Sequence, residues 1–176
     1  TIVIFVSDNG AEGNDIGAVG DNKYWIPATF DNRIENMGKR DSYVWLGAGW
    51  AHAMVSPFRN YKSYTTEGGI KTPAIFYSTK NRFNNGIKNS VMSVMDIAPT
   101  ILDIVDLKHP HVSEKELIPM TGKSALSYLT DQSETIHGDE PIGWELYGNR
   151  ALIKNKYKAV LIWPPEGTGE WQLYDI

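Results

Sequence analysis

The first ten residues, Thr1-Ile2-Val3-Ile4-Phe5-Val6-Ser7-Asp8-Asn9-Gly10, constrain the fold more than any other stretch of the chain. Thr1 to Val6 is an unbroken apolar and β-branched run, too short for a confident helix. It suits a strand buried on both faces inside an α/β sheet. The run stops at a carboxylate, a carboxamide and a glycine, and ligands collect at the carboxyl ends of strands in open α/β sheets. Asp8 and Asn9 offer hard oxygen donors there, and Gly10 lets the chain turn away sharply. A carboxylate left unpaired at a buried strand end is costly, so a dication or a lysine is expected beside Asp8. Asn-Gly after an apolar run is also the strongest short-range hairpin signal, and taken alone the stretch reads as a turn.

A second stretch, Arg59-Asn60-Tyr61-Lys62-Ser63-Tyr64-Thr65-Thr66-Glu67-Gly68-Gly69-Ile70-Lys71-Thr72-Pro73, changes that balance. Here a lysine precedes a Glu-Gly-Gly turn, which feeds another strand-like run from Ala74 to Tyr77. With Phe5 to Glu12, Tyr61 to Pro73, Val94 to Asp103, Trp144 to Leu146 and Trp171 to Asp175 in one order, the chain resembles the type I sulfatases of the alkaline phosphatase superfamily. The bacterial arylsulfatases are the nearest group, and the matching part is their C-terminal portion.

The resemblance implies an α/β fold: part of a mixed, mostly parallel sheet flanked by helices, with a small antiparallel β subdomain at the C-terminus. Residues 1–130 would belong to the catalytic domain and 131–176 to the subdomain. Asp8 and Asn9 match the family's metal-binding aspartate and asparagine, so calcium or another divalent cation is implied, with further aspartates outside this chain. Lys62 matches the lysine that contacts the sulfate oxygens and helps the leaving group depart. The ammonium's three donors suit a tetrahedral oxyanion.

Val55-Ser56-Pro57-Phe58-Arg59 superficially follows the family's nucleophile signature, but its first position is Val55, not Cys or Ser. The formylglycine nucleophile is therefore expected outside this chain, and the fragment alone is expected to be inactive. The implied reaction is hydrolysis of a small-molecule sulfate monoester, such as an aryl sulfate, to the alcohol or phenol and inorganic sulfate. Two alternatives stay open: a phosphate or phosphonate ester hydrolase of the same superfamily, or a non-catalytic metal- or glycan-binding homologue.

Composition narrows the remaining classes. The 176 residues carry a net charge of −4 with acidic and basic residues interspersed, so nothing points to nucleic acid. No apolar run is long enough to span a bilayer. Without cysteine, neither a disulfide nor a thiolate metal site can form. The compartment, bacterial cytoplasm or periplasm, is left undecided. The strand-like first and last residues are expected to mark a piece of a longer protein.

Along the rest of the chain, residues 11–52 read as a long excursion with a short helix from Phe30 to Met37. Tyr24, Trp25, Tyr43, Trp45 and Trp50 are expected to pin that excursion or to line a cleft. His52 is expected to be a loop histidine with a structural hydrogen bond. Val91 to Leu107 is the best helix, with Asp96 as N-cap and Ile97, Ile101, Ile104 and Val105 on its packed face. His109-Pro110-His111 reads as solvated loop. Gly122-Lys123-Ser124 lacks the earlier glycine of a phosphate-binding loop, since position 117 is Leu117, and reads as the start of a short helix. Four short strands follow from Glu145 to Tyr174, with turns at Asn155-Lys156 and at Pro164 to Gly169.

Overall fold

The computed structural model describes residues 1–80, 82–110 and 117–176. His111, half of the histidine pair noted in the sequence, lies outside the described residues. The chain divides into two compact units that interleave in sequence. The first comprises Thr1–Asp8, Ala74–Ile142 and Ile153–Lys156; the second comprises Asn9–Pro73, Gly143–Leu152 and Tyr157–Ile176.

In the first unit, strand β1 (Ile2–Val6) pairs with β2 (Ala74–Ser78). The pairing is antiparallel, with Val3 opposite Tyr77 and Phe5 opposite Ile75. One face of this ribbon carries Ile2 and Phe76 into a core with Phe83, Ala125 and Leu129. The other face is open: Val3, Phe5, Ile75 and Tyr77 are each at least half exposed. The expectation of a strand buried on both faces therefore fails for the described residues. The β1–β2 and β5–β6 pairs are both antiparallel, and the mostly parallel core is not among the described residues.

The long helix expected over 91–107 is shorter. A 3-10 turn over Val94–Asp96 leads into α4 (Ile97–Ile104). Ser93, not Asp96, is the capping side chain: its hydroxyl accepts from the Met95 N–H, and Asp96 answers by accepting from the Ser93 N–H at 2.7 Å. Asp96 is fully buried and also accepts from the Lys123 N–H at 2.8 Å, while His137 Nε2 stands 2.8 Å from the oxygen that Ser93 shares. Thr100, equally buried, donates to Asp96 O and accepts from the Ala125 N–H, tying α4 to α5 (Leu126–Leu129). The packed face thus runs through Thr100 and Ile104, and Ile101 is 45% exposed. Gly122 belongs to this hub for a steric reason, because a Cβ there would sit 1.9 Å from Met95 O.

In the second unit the excursion is more ordered than its sequence suggests. The short helix expected from Phe30 to Met37 is displaced to α1 (Asn22–Thr29), followed by a 3-10 turn over Ile34–Asn36. A second helix, α2 (Gly47–Val55), forms around fully buried Ala51. Its two glycines mask it in sequence. Trp25, Phe30 and Tyr43 pack edge to face or tilted at 5.2–5.9 Å, which pins the excursion.

The C-terminal sheet has the order β3 (Ile142–Leu146), β4 (Asn149–Lys154), β5 (Tyr157–Leu161), β6 (Trp171–Asp175). Two-residue links at Tyr147-Gly148 and Asn155-Lys156 make hairpins of its first three strands. Tyr147 and Gly148 both have positive φ, 53° and 81°, as a tight primed turn requires. The longer return through Pro164 to Gly169 brings β6 antiparallel to β5. Ala151, Val160 and Ile162 form this sheet's core with Tyr64 and Trp144.

Candidate active site

Asp8 follows β1 closely and Asn9 follows Asp8, as the sequence reading requires. Asp8 is exposed, however, at the end of a strand that is open on one face. Within these residues alone Asp8 therefore carries no desolvation cost. What holds is the donor chemistry. A carboxylate and a carboxamide in succession supply two hard oxygens, of the six or more that calcium requires. Among the described residues no cluster of three or more His, Asp or Glu completes such a site. The two residues fit one part of a calcium shell whose remaining ligands would come from elsewhere.

The segments that follow Asn9 and contain Lys62 are laced together within the second unit. The Gly10 N–H donates to Gly69 O at 2.8 Å and the Lys62 N–H donates to Ala11 O at 3.0 Å. Two residues from Asn9, the backbone of the Lys62 segment is thus fixed by a main-chain hydrogen bond. There is no room for side chains at the crossing: a Cβ on Gly10 would lie 1.8 Å from Gly68 O, and one on Gly68 would lie 2.0 Å from Asn60 O. Gly68 and Gly69 are needed because backbone presses on backbone, and neither has a positive φ.

The Lys62 ammonium stands 2.9 Å from Glu12 Oε2, and both side chains keep solvent access, at 42% and 29%. The other Glu12 oxygen accepts from the backbone and side-chain nitrogens of Asn14. Partial burial disfavours the Glu12 carboxylate, but the Lys62 ammonium and the Asn14 donors outweigh that and hold its pKa below the ordinary value. Two non-glycine residues on either side of Lys62 have left-handed backbones, Asn60 at φ 58° and Ser63 at φ 81°. Such strain persists only where the surroundings over-determine it, and it collects at functional sites. Thr66 supplies part of that determination by donating to Arg59 O at 2.8 Å.

His52 lies on α2, not in a loop, and packs edge-on against Tyr61 at 4.9 Å. Tyr61 in turn meets Tyr64 at 5.5 Å, so aromatic rings brace the residues on both sides of Lys62 and Ser63. Arg59 donates to Glu166 O.

Two residues with parts in this arrangement have none assigned from sequence. Glu12 lies inside a matching segment, but its approach to Lys62 depends on the fold. Lys158 is 2% exposed, with its ammonium 2.6 Å from Glu67 Oε1. A signal for it exists, since it alternates in phase with inward-facing Val160 and Ile162.

Comparison with known proteins agrees with the family resemblance read from the sequence. The profile of the Sulfatase family matches residues 1–107. An uncharacterized sulfatase of Schizosaccharomyces pombe is 39% identical over 181 residues, covering 100% of this chain and 32% of that protein. An arylsulfatase of Klebsiella aerogenes is 30% identical over 127 residues, covering 70% of this chain and 27% of that protein. The chain thus matches between about a quarter and a third of the length of these relatives, 27% and 32%.

Among solved structures, Ps i-CgsB in complex with k-i-k-neocarrahexaose superimposes over 99% of this chain and 29% of its own, with a TM-score of 0.60 and 20% identity. The PsFucS1 sulfatase from Pseudoalteromonas sp. covers 100% of this chain and 29% of its own, at 0.54 and 22%. These two likenesses carry the α/β fold of the sulfatases. The profile match, which runs across the Asp8-Asn9 and Lys62 segments and more than half of the chain, leads to one conclusion: the chain belongs to the Sulfatase family.

Proposed function

We propose that this chain supplies the Lys62 side of a site that hydrolyses sulfate monoesters, aryl sulfates among them, in a protein whose nucleophile lies outside these residues. The observation that carries the reading is the pinning of Lys62 beside the segment that follows Asp8 and Asn9. Its N–H is bonded to Ala11 O and its ammonium is held by Glu12. Family membership supports the reaction class.

In this reading Asp8 and Asn9 would hold a divalent cation, calcium by their donor chemistry, which when bound would neutralise charge on the nonbridging sulfate oxygens. Lys62 binds a sulfate oxygen by a charge-assisted hydrogen bond and meets the negative charge that grows as the ester bond breaks. Gly10, Gly68 and Gly69 let the backbones approach closely enough to seat it. Residues 1–130 serve the catalytic domain and residues 131–176 the C-terminal β subdomain.

The test uses the full-length protein on an aryl sulfate and the matching aryl phosphate. The sulfate is expected to turn over faster. Lys62→Ala is expected to lower that turnover by at least about tenfold, since one donor aimed at transition-state charge commonly supplies about 10² to 10³. A phosphate preference would move the protein to the phosphate-ester class, and an unchanged rate in Lys62→Ala would take Lys62 out of the site.

A further inference from the structure

Lys158 is the largest fully buried side chain among the described residues, on the inward face of β5. Burial pushes its pKa down, and the nearby Glu67 carboxylate only partly offsets that. Glu67 opens the short helix α3 (Glu67–Ile70), where its second oxygen lies 3.7 Å from the Lys71 ammonium. A buried ion pair of this kind is weak support for stability, and replacing both partners by uncharged groups of similar volume is often neutral or better. Its position along the chain of hydrogen bonds around Lys62 says more.

From Glu67 the path is short. The Gly68 N–H donates to Arg59 O at 3.0 Å, Gly69 O accepts from the Gly10 N–H at 2.8 Å, and Lys62 lies between these two anchorages, bonded to Ala11 O. The C-terminal sheet and its return loop hold the same segment at two further points. Tyr64 packs against Ala151, Val160 and Ile162, and Arg59 reaches Glu166 O. The segment carrying Lys62 is therefore gripped before, after and beyond the lysine, with the Arg59–Glu166 and Glu67–Lys158 contacts spanning 107 and 91 residues of sequence.

We infer that Lys158 is a positioning residue for Lys62: through Glu67 it fixes the Gly68-Gly69 turn on which residues 59–64 are seated, and so sets where the Lys62 ammonium stands. The inference rests on Lys62 contacting the sulfate, as proposed above. It assigns the C-terminal β-sheet a part in catalysis that requires no contact between Lys158 and the reacting group.

The experiment compares Lys158→Met, Lys158→Arg and the uncharged pair Glu67→Gln/Lys158→Met in the full-length protein. The readouts are kcat, KM and hydrogen exchange of the amides of residues 59–69. Lys158→Met is expected to lower kcat by at least about tenfold with KM changed less, because misplacing a catalytic group by about 1 Å costs up to about 10²-fold. Exchange over 59–69 is expected to quicken, and Lys158→Arg to recover part of both losses. If Lys158→Met fails to fold, the uncharged pair carries the test, since it leaves no buried charge without a partner.

A folded uncharged pair with wild-type kcat and wild-type exchange over 59–69 would overturn the inference. So would a loss of kcat with exchange unchanged, because the loss would not have come through that segment. Should Lys62→Ala leave turnover intact, the role of Lys62 falls separately. Exchange over 59–69 then still decides whether Lys158 holds the segment in place.

Discussion

Replacing Gly68 by alanine tests the close backbone crossing beside Lys62. The added Cβ would meet Asn60 O at 2.0 Å and Arg59 O at 2.6 Å, both main-chain atoms that no rotamer change can clear. Ordinary contact begins at 3.4 Å, so the chain at 59–60 has to retreat by about 1.4 Å or the α3 turn has to lift by as much. Overpacking of this kind costs about 1–3 kcal/mol. The retreat also breaks the Gly68 N–H to Arg59 O bond and strains the Thr66 hydroxyl bond to the same oxygen, at about 0.5–1.5 kcal/mol each. The expected loss is about 2–6 kcal/mol, or a fall of roughly 4–24 °C in Tm for a domain of this size.

Activity should fall further than stability. Lys62 is three residues from the displaced Arg59 carbonyl, and a shift of about 1 Å can cost up to about 10²-fold in rate. Gly49→Ala is the internal control. That glycine sits in α2 with nothing within 4 Å of where its Cβ would stand, so alanine should stabilise by about 0.5–1 kcal/mol and leave turnover alone. Thermal unfolding and single-turnover rates on an aryl sulfate read both effects. Wild-type Tm and rate in Gly68→Ala would refute the crowded crossing and the path to Lys62 drawn from it.

Two other perturbations separate structural from chemical roles. Asp96→Asn should cost about 3–5 kcal/mol: the amide can keep Ser93 and His137 on its oxygen, but its NH₂ then opposes the Lys123 N–H, and charge assistance is lost from the remaining bonds. A loss below about 1 kcal/mol in thermal or denaturant unfolding would remove Asp96 from its place as the hub of the first unit. Glu12→Gln should cost no more than about 1 kcal/mol, as the pair with Lys62 is partly exposed. Because the folded-state pKa of Glu12 lies below the ordinary 4.5, the wild-type advantage is full above about pH 5 and fades as pH falls through the folded value. The same variant should raise the rate on aryl phosphate relative to aryl sulfate by roughly fivefold, the factor that about 1 kcal/mol supplies, since a carboxylate repels a dianion more than a monoanion. A ratio that does not move would show that Glu12 is not felt by the substrate.

The parts of the molecule legible in sequence are those whose signals are local. The apolar run of β1, the Asn155-Lys156 turn and the alternating strands of the C-terminal sheet announce themselves within a few residues. Helix α2 does not, because Gly47 and Gly49 weaken the helical pattern that packing of Ala51 restores. Ser93 is hidden as a cap because Asp96 fits the same local rule, and only the tertiary bonds to Lys123 and His137 show where the carboxylate goes. The exposure of Asp8 is hidden for a related reason. An apolar strand has the same sequence whether one face or both are covered, and here Val3 and Phe5 are open. The pairing of Lys158 with Glu67 spans 91 residues and has no local signature beyond the phase of the strand.

Two lysine–glutamate pairs in the second unit divide the work by their access to solvent. Lys62 and Glu12 are 42% and 29% exposed, so in the proposed site an incoming sulfate would take over the ammonium while water and Asn14 go on satisfying the carboxylate. Such an exchange would swap one anion for another around the ammonium, at little cost beyond a surface pair. Lys158 and Glu67 are 2% and 23% exposed, and no substrate can replace Glu67 without stranding a buried ammonium. By solvent access the first pair can open, while the second stays shut. If Lys62 changes partners during the reaction as proposed, it needs a mount that does not, and Glu67 joins Lys158 to the turn beneath it. On that proposal the C-terminal sheet would work as the rigid back of the site, and the rate should follow the integrity of the buried pair more closely than overall stability does.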